Sequence, residues 1–390
     1  MITVVLTFLC TLLLVPTLVL LVEVMAAGAS GDIPSMTIAN RPRRIAVLIP
    51  AHDEETTIAG TLRSIAAQLS PDDRLLVVAD NCSDQTEKIA RDEGADVIAR
   101  QDRELRGKGY ALDYGVRHLE KDPPDALIII DADCLVESGA IAVLAATAAA
   151  SGRPVQALYR MHAPEGAGLK TRIAGFAWLI RNHVRPLGLH RMGLPCQLMG
   201  TGMAFPWACI RTAPLATGHI VEDLKLGLEL AMRGCPPLFC TQAAVTSSFP
   251  TSIEAVRSQR TRWEHGHLRT ILAEAPRLLL ESALRLDLAL GAMALDLCVP
   301  PLALLAMLIA VSWALSVPVA MAGPAHLPLF IATTSILVFG AAITLSWQRF
   351  GRRTISGKDL VLATIYAICK IPLYLRFLIK PQSKWIRSKR

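Results

Sequence analysis

The chain has 390 residues, with 40 Lys and Arg against 33 Asp and Glu for a formal net charge of +7, and is 52% hydrophobic but only 19% charged. A mean hydropathy of +0.41 excludes an ordinary soluble protein, and the charge that remains excludes a chain embedded in lipid along its whole length. The apolar excess is therefore expected in separate segments.

The first such segment is Met1 to Val22, which carries no charged residue and is about the ~20 residues needed to cross a bilayer. Ala26 to Ala29 offer small residues for cleavage, but no Lys or Arg precedes the apolar run and it exceeds a signal core, so residues 1–26 read as an uncleaved anchor. Arg41, Arg43 and Arg44 close a basic linker over 27–44. By the positive-inside rule they place the middle of the chain in the cytosol, at an inner (plasma) membrane, with Met1 outside.

Ile45 to Ile49 predicts a short strand ended by Pro50, and the acids of Asp53-Glu54-Glu55 precede a helix over Thr56 to Gln68, where they also suit the helix dipole. Leu75 to Ala79 predicts a second buried strand. Of the acids after it, Asp84 is placed to cap the helix through Arg91. This leaves Asp80 at a strand tip without a structural task, able to stabilise the turn or to accept a hydrogen bond from a base or ribose. Ala95 to Ile98 reads as a third strand, and Arg106 to Tyr110 as a loop whose cation and two glycines suit a phosphate, although it is not a Walker A sequence.

Leu127 to Ile130 then forms an apolar run ending in Asp131-Ala132-Asp133. Such a run predicts a strand buried on both faces, with two acids at its carboxyl end, the edge where open α/β sheets bind ligands. The acids fit a polar turn, or a cation that relieves their repulsion; oxygen ligands of this kind suit Mg²⁺ or Mn²⁺. The alternation of strands and helices predicts an α/β fold, a doubly wound nucleotide-binding half-domain.

The second half is less regular. Val155 to Tyr159 reads as a strand and Thr171 to Val184 as an amphipathic helix, facing either the core or the membrane surface. Leu198 to Phe205 sets two glycines around Thr201, and Glu222-Asp223 starts a helix. In Gln259-Arg260-Thr261-Arg262-Trp263, helical spacing puts Gln259, Arg262 and Trp263 on one face. Arg can bind a diphosphate bidentately and an indole can stack on a sugar, although an interface belt has a similar composition. His265 and His267 lack an evident third zinc ligand and read as solvent-facing or acceptor-lining.

A segment over 268–296 is expected to lie in the interface, followed by two membrane helices within 297–347. The basic residues of 348–353 come next, then an interfacial helix from Leu360 to Ile379 that Lys370 keeps from spanning, and a cytosolic tail. Nine cysteines without a CxxC pair suit reduced thiols. The positive charge lies beside the apolar segments, which favours membrane lipids as partners over nucleic acid.

Taken together, Asp80, Asp131-Ala132-Asp133, Glu222-Asp223 and Gln259-Arg260-Thr261-Arg262-Trp263 resemble, in order and spacing, the family 2 glycosyltransferases, in particular the membrane-embedded, cellulose- and hyaluronan-synthase-like group. The resemblance covers residues 45–267. It implies a GT-A-like domain with flanking transmembrane helices and inverting transfer from a nucleotide-sugar donor, UDP-linked in the first instance, to a lipid-linked or saccharide acceptor. Exopolysaccharide or cell-surface glycan assembly, with its assembly proteins as partners, would be the setting. It also implies that Asp53, Glu54 and Asp80 contact the nucleoside, that Lys108 and Asp131 serve the donor, that Asp131 and Asp133 hold the Mg²⁺ or Mn²⁺, and that Asp223 is the general base. Glu222, Gln259, Arg262 and Trp263 would line the acceptor and diphosphate. Three spans favour a single-addition transferase; a processive synthase and a catalytically dead nucleotide-binding scaffold are the alternatives.

Overall fold

The computed structural model describes residues 1–30, 41–164, 166–250 and 252–379; most of the expected linker, residues 31–40, and the tail from 380 lie outside the described residues. The described residues divide into two compact units, one within 41–162 and 194–266, the other within 1–30, 163–193 and 267–379. The stretch 163–193, expected inside the 45–267 domain, thus groups with the flanking helices.

The first unit carries an eight-stranded sheet, β1 Ile45–Ala51, β2 Arg74–Asp80, β3 Asp96–Arg100, β4 Ala126–Ile129, β5 Leu135–Val136, β6 Val155–His162, β7 Met203–Pro206 and β8 Leu238–Ser248. Its spatial order is β3-β2-β1-β4-β7-β6-β8-β5. The first four strands are parallel, and β7 opens the mixed half by pairing antiparallel with β4. This is the expected GT-A-like α/β arrangement.

Pro50 does not end β1, which runs on to Ala51 with Pro50 opposite Val78. The carbonyl of Leu48 accepts from Ile130, so two residues later the missing N–H of Pro50 faces the side where β4 has already ended and no bond is lost. β6 likewise runs three residues beyond the expected Tyr159. Two of the three arginines read as a membrane signal are engaged within this unit, Arg41 with Asp73 and Arg44 with Asp122.

The helix Lys108–Leu119 buries Ala111, Leu112, Gly115, Val116 and Leu119 at 3.6-residue spacing against β1 and β2. A Cβ on Gly115 would stand 2.5 Å from Leu48 Cδ1, so a larger residue there would make the Leu48 side chain move. Lys108, expected in a loop, opens that helix after Gly107, whose φ of 129° permits the sharp entry.

In the second unit the helices Ile2–Ala27, Leu302–Met321, Leu327–Gly351 and the interrupted Gly357–Ile379 are each long and apolar enough to cross a membrane by length and composition. The last was expected in the interface; it breaks after Ile368, and Lys370 lies 5.1 Å from the centre of the Tyr366 ring. The expected helix Thr171–Val184 starts at Leu169 and continues through a π-type turn at Ile180–Val184 to Arg191. Its Arg185 is buried between two acids, with Nε donating to Glu23 Oε2 at 2.7 Å and Nη2 to the Asp296 carbonyl at 2.6 Å and to its carboxylate. His265 and His267, expected to face solvent or line the acceptor, are both buried, which removes the solvent-facing alternative, and His267 Nε2 lies 3.3 Å from the Leu297 carbonyl oxygen.

Candidate active site

Because β1, β2 and β4 run parallel, their carboxyl ends deliver Asp53-Glu54, Asp80 and Asp131-Ala132-Asp133 to one edge of the sheet. Asp53 has φ of 52°, and its Oδ1 accepts from Ser83 N at 2.6 Å and from Ser83 Oγ, which ties the end of β1 to the loop after β2. Glu54 takes the Thr57 hydroxyl at 2.8 Å while its N–H donates to Thr86 Oγ1. Asp84, expected to cap the next helix, accepts from Thr86 N at 2.9 Å, but the N-cap position of the helix Thr86–Asp92 is Gln85, with no side-chain cap bond.

Asp80 does have a structural partner, contrary to the expectation from its place at a strand tip. It is buried, and Arg100 Nη1 donates to its Oδ1 at 2.7 Å, with Asn81 Nδ2 at 3.0 Å. The same guanidinium donates to the Leu105 carbonyl and Asp102, and lies 5.7 Å from the centre of the Tyr110 ring. Arg100 carries no motif, and its pairing across twenty residues of chain left no trace in the pattern.

The densest charge lies around Lys108. Its Nζ is 2.5 Å from Asp131 Oδ1 and 3.9 Å from Glu222 Oε1, and donates to the Gly200 carbonyl at 2.6 Å. Burial pulls its pKa down, but Asp131, Glu222 and Asp223 outweigh that and hold it above the usual lysine value. Burial also pushes the Glu222 carboxyl up to about 7, against the pull of Lys108 and with a push from Asp223; Arg262 lies near enough to lower it in part. Glu222 and Asp223 open the helix Glu222–Met232. A Cβ placed on Gly200, whose φ is 95°, would stand 3.2 Å from Asp223 Oδ2 and 3.6 Å from Lys108 Nζ. Lys108, Asp131, Gly200, Glu222 and Asp223 thus share one spot.

The turn carrying the two aspartates is fixed from both sides. Asp131 N donates to Thr201 Oγ1 at 3.0 Å, and Thr61 Oγ1 donates to the Ala132 carbonyl at 2.9 Å. Asp131, Asp133 and Cys134 can each offer a ligand atom, all within 4.8 Å of one another. Burial raises the Cys134 thiol to about 12, and a hard cation such as Mg²⁺ or Mn²⁺ prefers the oxygens of the two carboxylates to a thiol. Two hard oxygens, with one oxygen of Asp131 already on Lys108, fit a divalent cation that draws its remaining ligands from water and phosphate.

Gln259, Arg262 and Trp263 lie on the helix Ile253–Arg285, with Gln259 buried and Trp263 half-buried. Gly266, one turn on, packs on Val221 so closely that a Cβ would stand 2.7 Å from Val221 Cγ1, which brings this helix beside Glu222. Arg262 Nε is buried with no hydrogen-bond partner among the described residues. Beside the paired acids, a small recess is lined by Gly109, Leu112, Met203, Thr217, Glu222 and Asp223.

Gly109 sets the wall of that recess, since a Cβ there would stand 2.6 Å from the carbonyl oxygens of both Leu215 and Thr217. Backbone on both contacts cannot yield as a side chain would. Gly109→Ala is expected to cost about 1–3 kcal/mol, the usual range for an overfilled site. Denaturant unfolding against wild type checks this, and an unchanged midpoint contradicts it.

The model of the family described as "Glycosyltransferase like family 2" matches residues 42–266, more than half of the chain. Among curated proteins, the probable glycosyltransferase YdaM of Bacillus subtilis is 26% identical over 239 residues, 59% of this chain and 56% of that protein. The 4,4'-diaponeurosporenoate glycosyltransferase of Staphylococcus aureus is 33% identical over 102 residues, 24% of this chain and 27% of that one. The chain thus spans between about a quarter and about half of these relatives. Among solved structures, the mannosyltransferase PcManGT of Pyrobaculum calidifontis, in complex with GDP-Man and Mn²⁺, superposes with a TM-score of 0.52 at 18% identity, covering 88% of this chain and 99% of that one. That likeness shows the fold.

Proposed function

The chain belongs to glycosyltransferase-like family 2, and from that premise we propose that it moves a sugar, with inversion, from a nucleotide-diphosphate donor to an acceptor hydroxyl at a membrane. The observation that carries this reading is the convergence of Lys108, Asp131, Glu222 and Asp223 on the Gly200 carbonyl at the ligand-binding edge of the sheet. Asp223 takes the proton of the acceptor O–H as that oxygen attacks the anomeric carbon. The bond from that carbon to the diphosphate breaks, and its electron pair leaves with the nucleotide. Lys108 and Arg262 carry the charge that develops on the leaving group, and the unpartnered Arg262 Nε supports an anion there. A Mg²⁺ or Mn²⁺ held by Asp131 and Asp133 would add Lewis-acid stabilisation of the same diphosphate. Asp53, Glu54 and Asp80 serve the nucleoside, and Gln259 and Trp263 the acceptor.

The acceptor is lipid-linked or a short saccharide, in exopolysaccharide or cell-surface glycan assembly. Exposed Phe8, Leu12, Val311, Phe330 and Leu337 on the apolar helices support a bilayer around them, with the catalytic unit in the cytosol. A second reading, processive synthesis, gains support from the fourth apolar helix; product length on a gel separates the two.

The deciding experiment offers purified protein UDP-glucose, UDP-GlcNAc or GDP-mannose with Mn²⁺ or Mg²⁺ and measures release of the nucleotide diphosphate. Turnover of one donor is expected, and none with any donor in a native membrane extract would sink the proposal. For Asp133→Ala, the metal-dependent part of donor binding is expected to disappear; a titration unchanged by the metal contradicts the assignment.

A further inference from the structure

Gln156 lies in β6, fully buried, one polar side chain in the run Val155-Gln156-Ala157-Leu158. Both N–H donors and the carbonyl oxygen of its amide are engaged locally. Nε2 donates to the carbonyls of Thr201 and Ala157, both at 2.9 Å, and Oε1 accepts from Met199 N at 2.8 Å. The amide therefore grips the turn 199–201 from two sides. That turn is otherwise poorly suited to hold its shape, since Gly200 and Gly202 both have positive φ, 95° and 66°, and glycine loses more conformational freedom on ordering than any other residue.

The turn in its grip touches the reacting groups at three points. The Gly200 carbonyl receives Lys108, Thr201 Oγ1 receives the N–H of Asp131, and the Cα of Gly200 faces the Asp223 carboxylate. We propose that Gln156 is a positioning residue for sugar transfer, fixing through the turn 199–201 the separation between the base Asp223 and the donor-binding pair Lys108 and Asp131. The inference rests on the proposed transferase activity and deepens it. Gln156 itself touches neither donor nor acceptor in this scheme. Its removal should therefore act on the alignment of bound groups more than on binding.

The test compares wild type, Gln156→Met and Gln156→Glu in the nucleotide-sugar assay with Mn²⁺. Met keeps the length and volume but none of the hydrogen bonds. Its kcat is expected to fall roughly 10–100-fold while KM for the donor moves less than about threefold, the signature of misalignment. Glu is the conservative variant: protonated, it donates to one carbonyl and still accepts from Met199 N, whereas ionised it sets a charge against two carbonyl oxygens. The ratio of Gln156→Glu to wild-type kcat, each normalised to the folded fraction measured by circular dichroism at that pH, is therefore expected to rise as the pH falls from 8 to 6; loss of fold alone would leave the normalised ratio flat. The ratio keeps the inference testable even where Gln156→Met fails to fold. Wild type that turns over no donor would overturn the transferase reading and this inference with it. Active wild type beside an unimpaired Gln156→Met, or a flat Gln156→Glu ratio, overturns the inference alone.

Discussion

Asp223→Asn is expected to lower kcat by roughly 10²–10⁴-fold, the usual worth of a general base, while the donor nucleotide still binds. The substitution preserves shape beside Gly200 and removes the proton acceptor together with a charge facing Lys108 and Glu222. Because Asp223 is one of the charges that raise Glu222, its loss also lets the Glu222 carboxyl fall toward its usual value, and the pairing of Glu222 with Lys108 tightens. Nucleotide affinity by calorimetry, read beside turnover, separates the two effects. Glu222 is the competitor for the role, since a carboxyl pushed up to about 7 is well matched to proton transfer near neutrality. Glu222→Gln decides between them. Retained turnover in Asp223→Asn together with a dead Glu222→Gln would move the base one residue back.

Arg185→Met is expected to be the most damaging single change in the helical unit. It strips the counter-charge from Glu23 and Asp296, whose side chains are 2% and 7% exposed. Removing one partner from a buried ion set typically costs about 3–5 kcal/mol, because the other charges stay desolvated and unpaired. Thermal unfolding in detergent should show a large drop in Tm. Adding Glu23→Gln and Asp296→Asn should restore most of it, since neutralising the whole set is often close to harmless. An Arg185→Met protein as stable as wild type would mean that the buried triad contributes little.

The parallel half of the sheet was legible because fully buried strands write themselves as β-branched runs, and the acids at their tips are located by where such runs stop. The partners of those acids were not. Arg100 reaches Asp80 across one strand pairing, and Gln156 reaches Thr201 across another, so neither leaves a local pattern. A lone amide inside an apolar strand was the available signal for Gln156, since such a group must be satisfied when buried. Pro50 misled because a missing donor ends a strand only where a neighbour waits for it. Arg185 read as one cation of an amphipathic helix, and its two acids lie 162 and 111 residues away. The four charge-bearing motifs that suggested family 2 were visible at once, whereas the Gly200 carbonyl that gathers Lys108 belongs to backbone and has no letter of its own.

The interruption at 163–193 has a practical side for anyone dissecting the molecule. A fragment cut to the family's boundaries, 42–266, would inherit the helix Leu169–Leu179 and its continuation without Glu23, Asp296 or Gly351, against which Arg185 and Phe176 are seated. Trimming the ends alone therefore leaves residues 163–193 in the sheet-bearing part without their packing partners. In evolutionary terms, the helical unit holds a claim on the middle of the gene for the sheet-bearing unit, so the two cannot be shuffled apart at a single crossover.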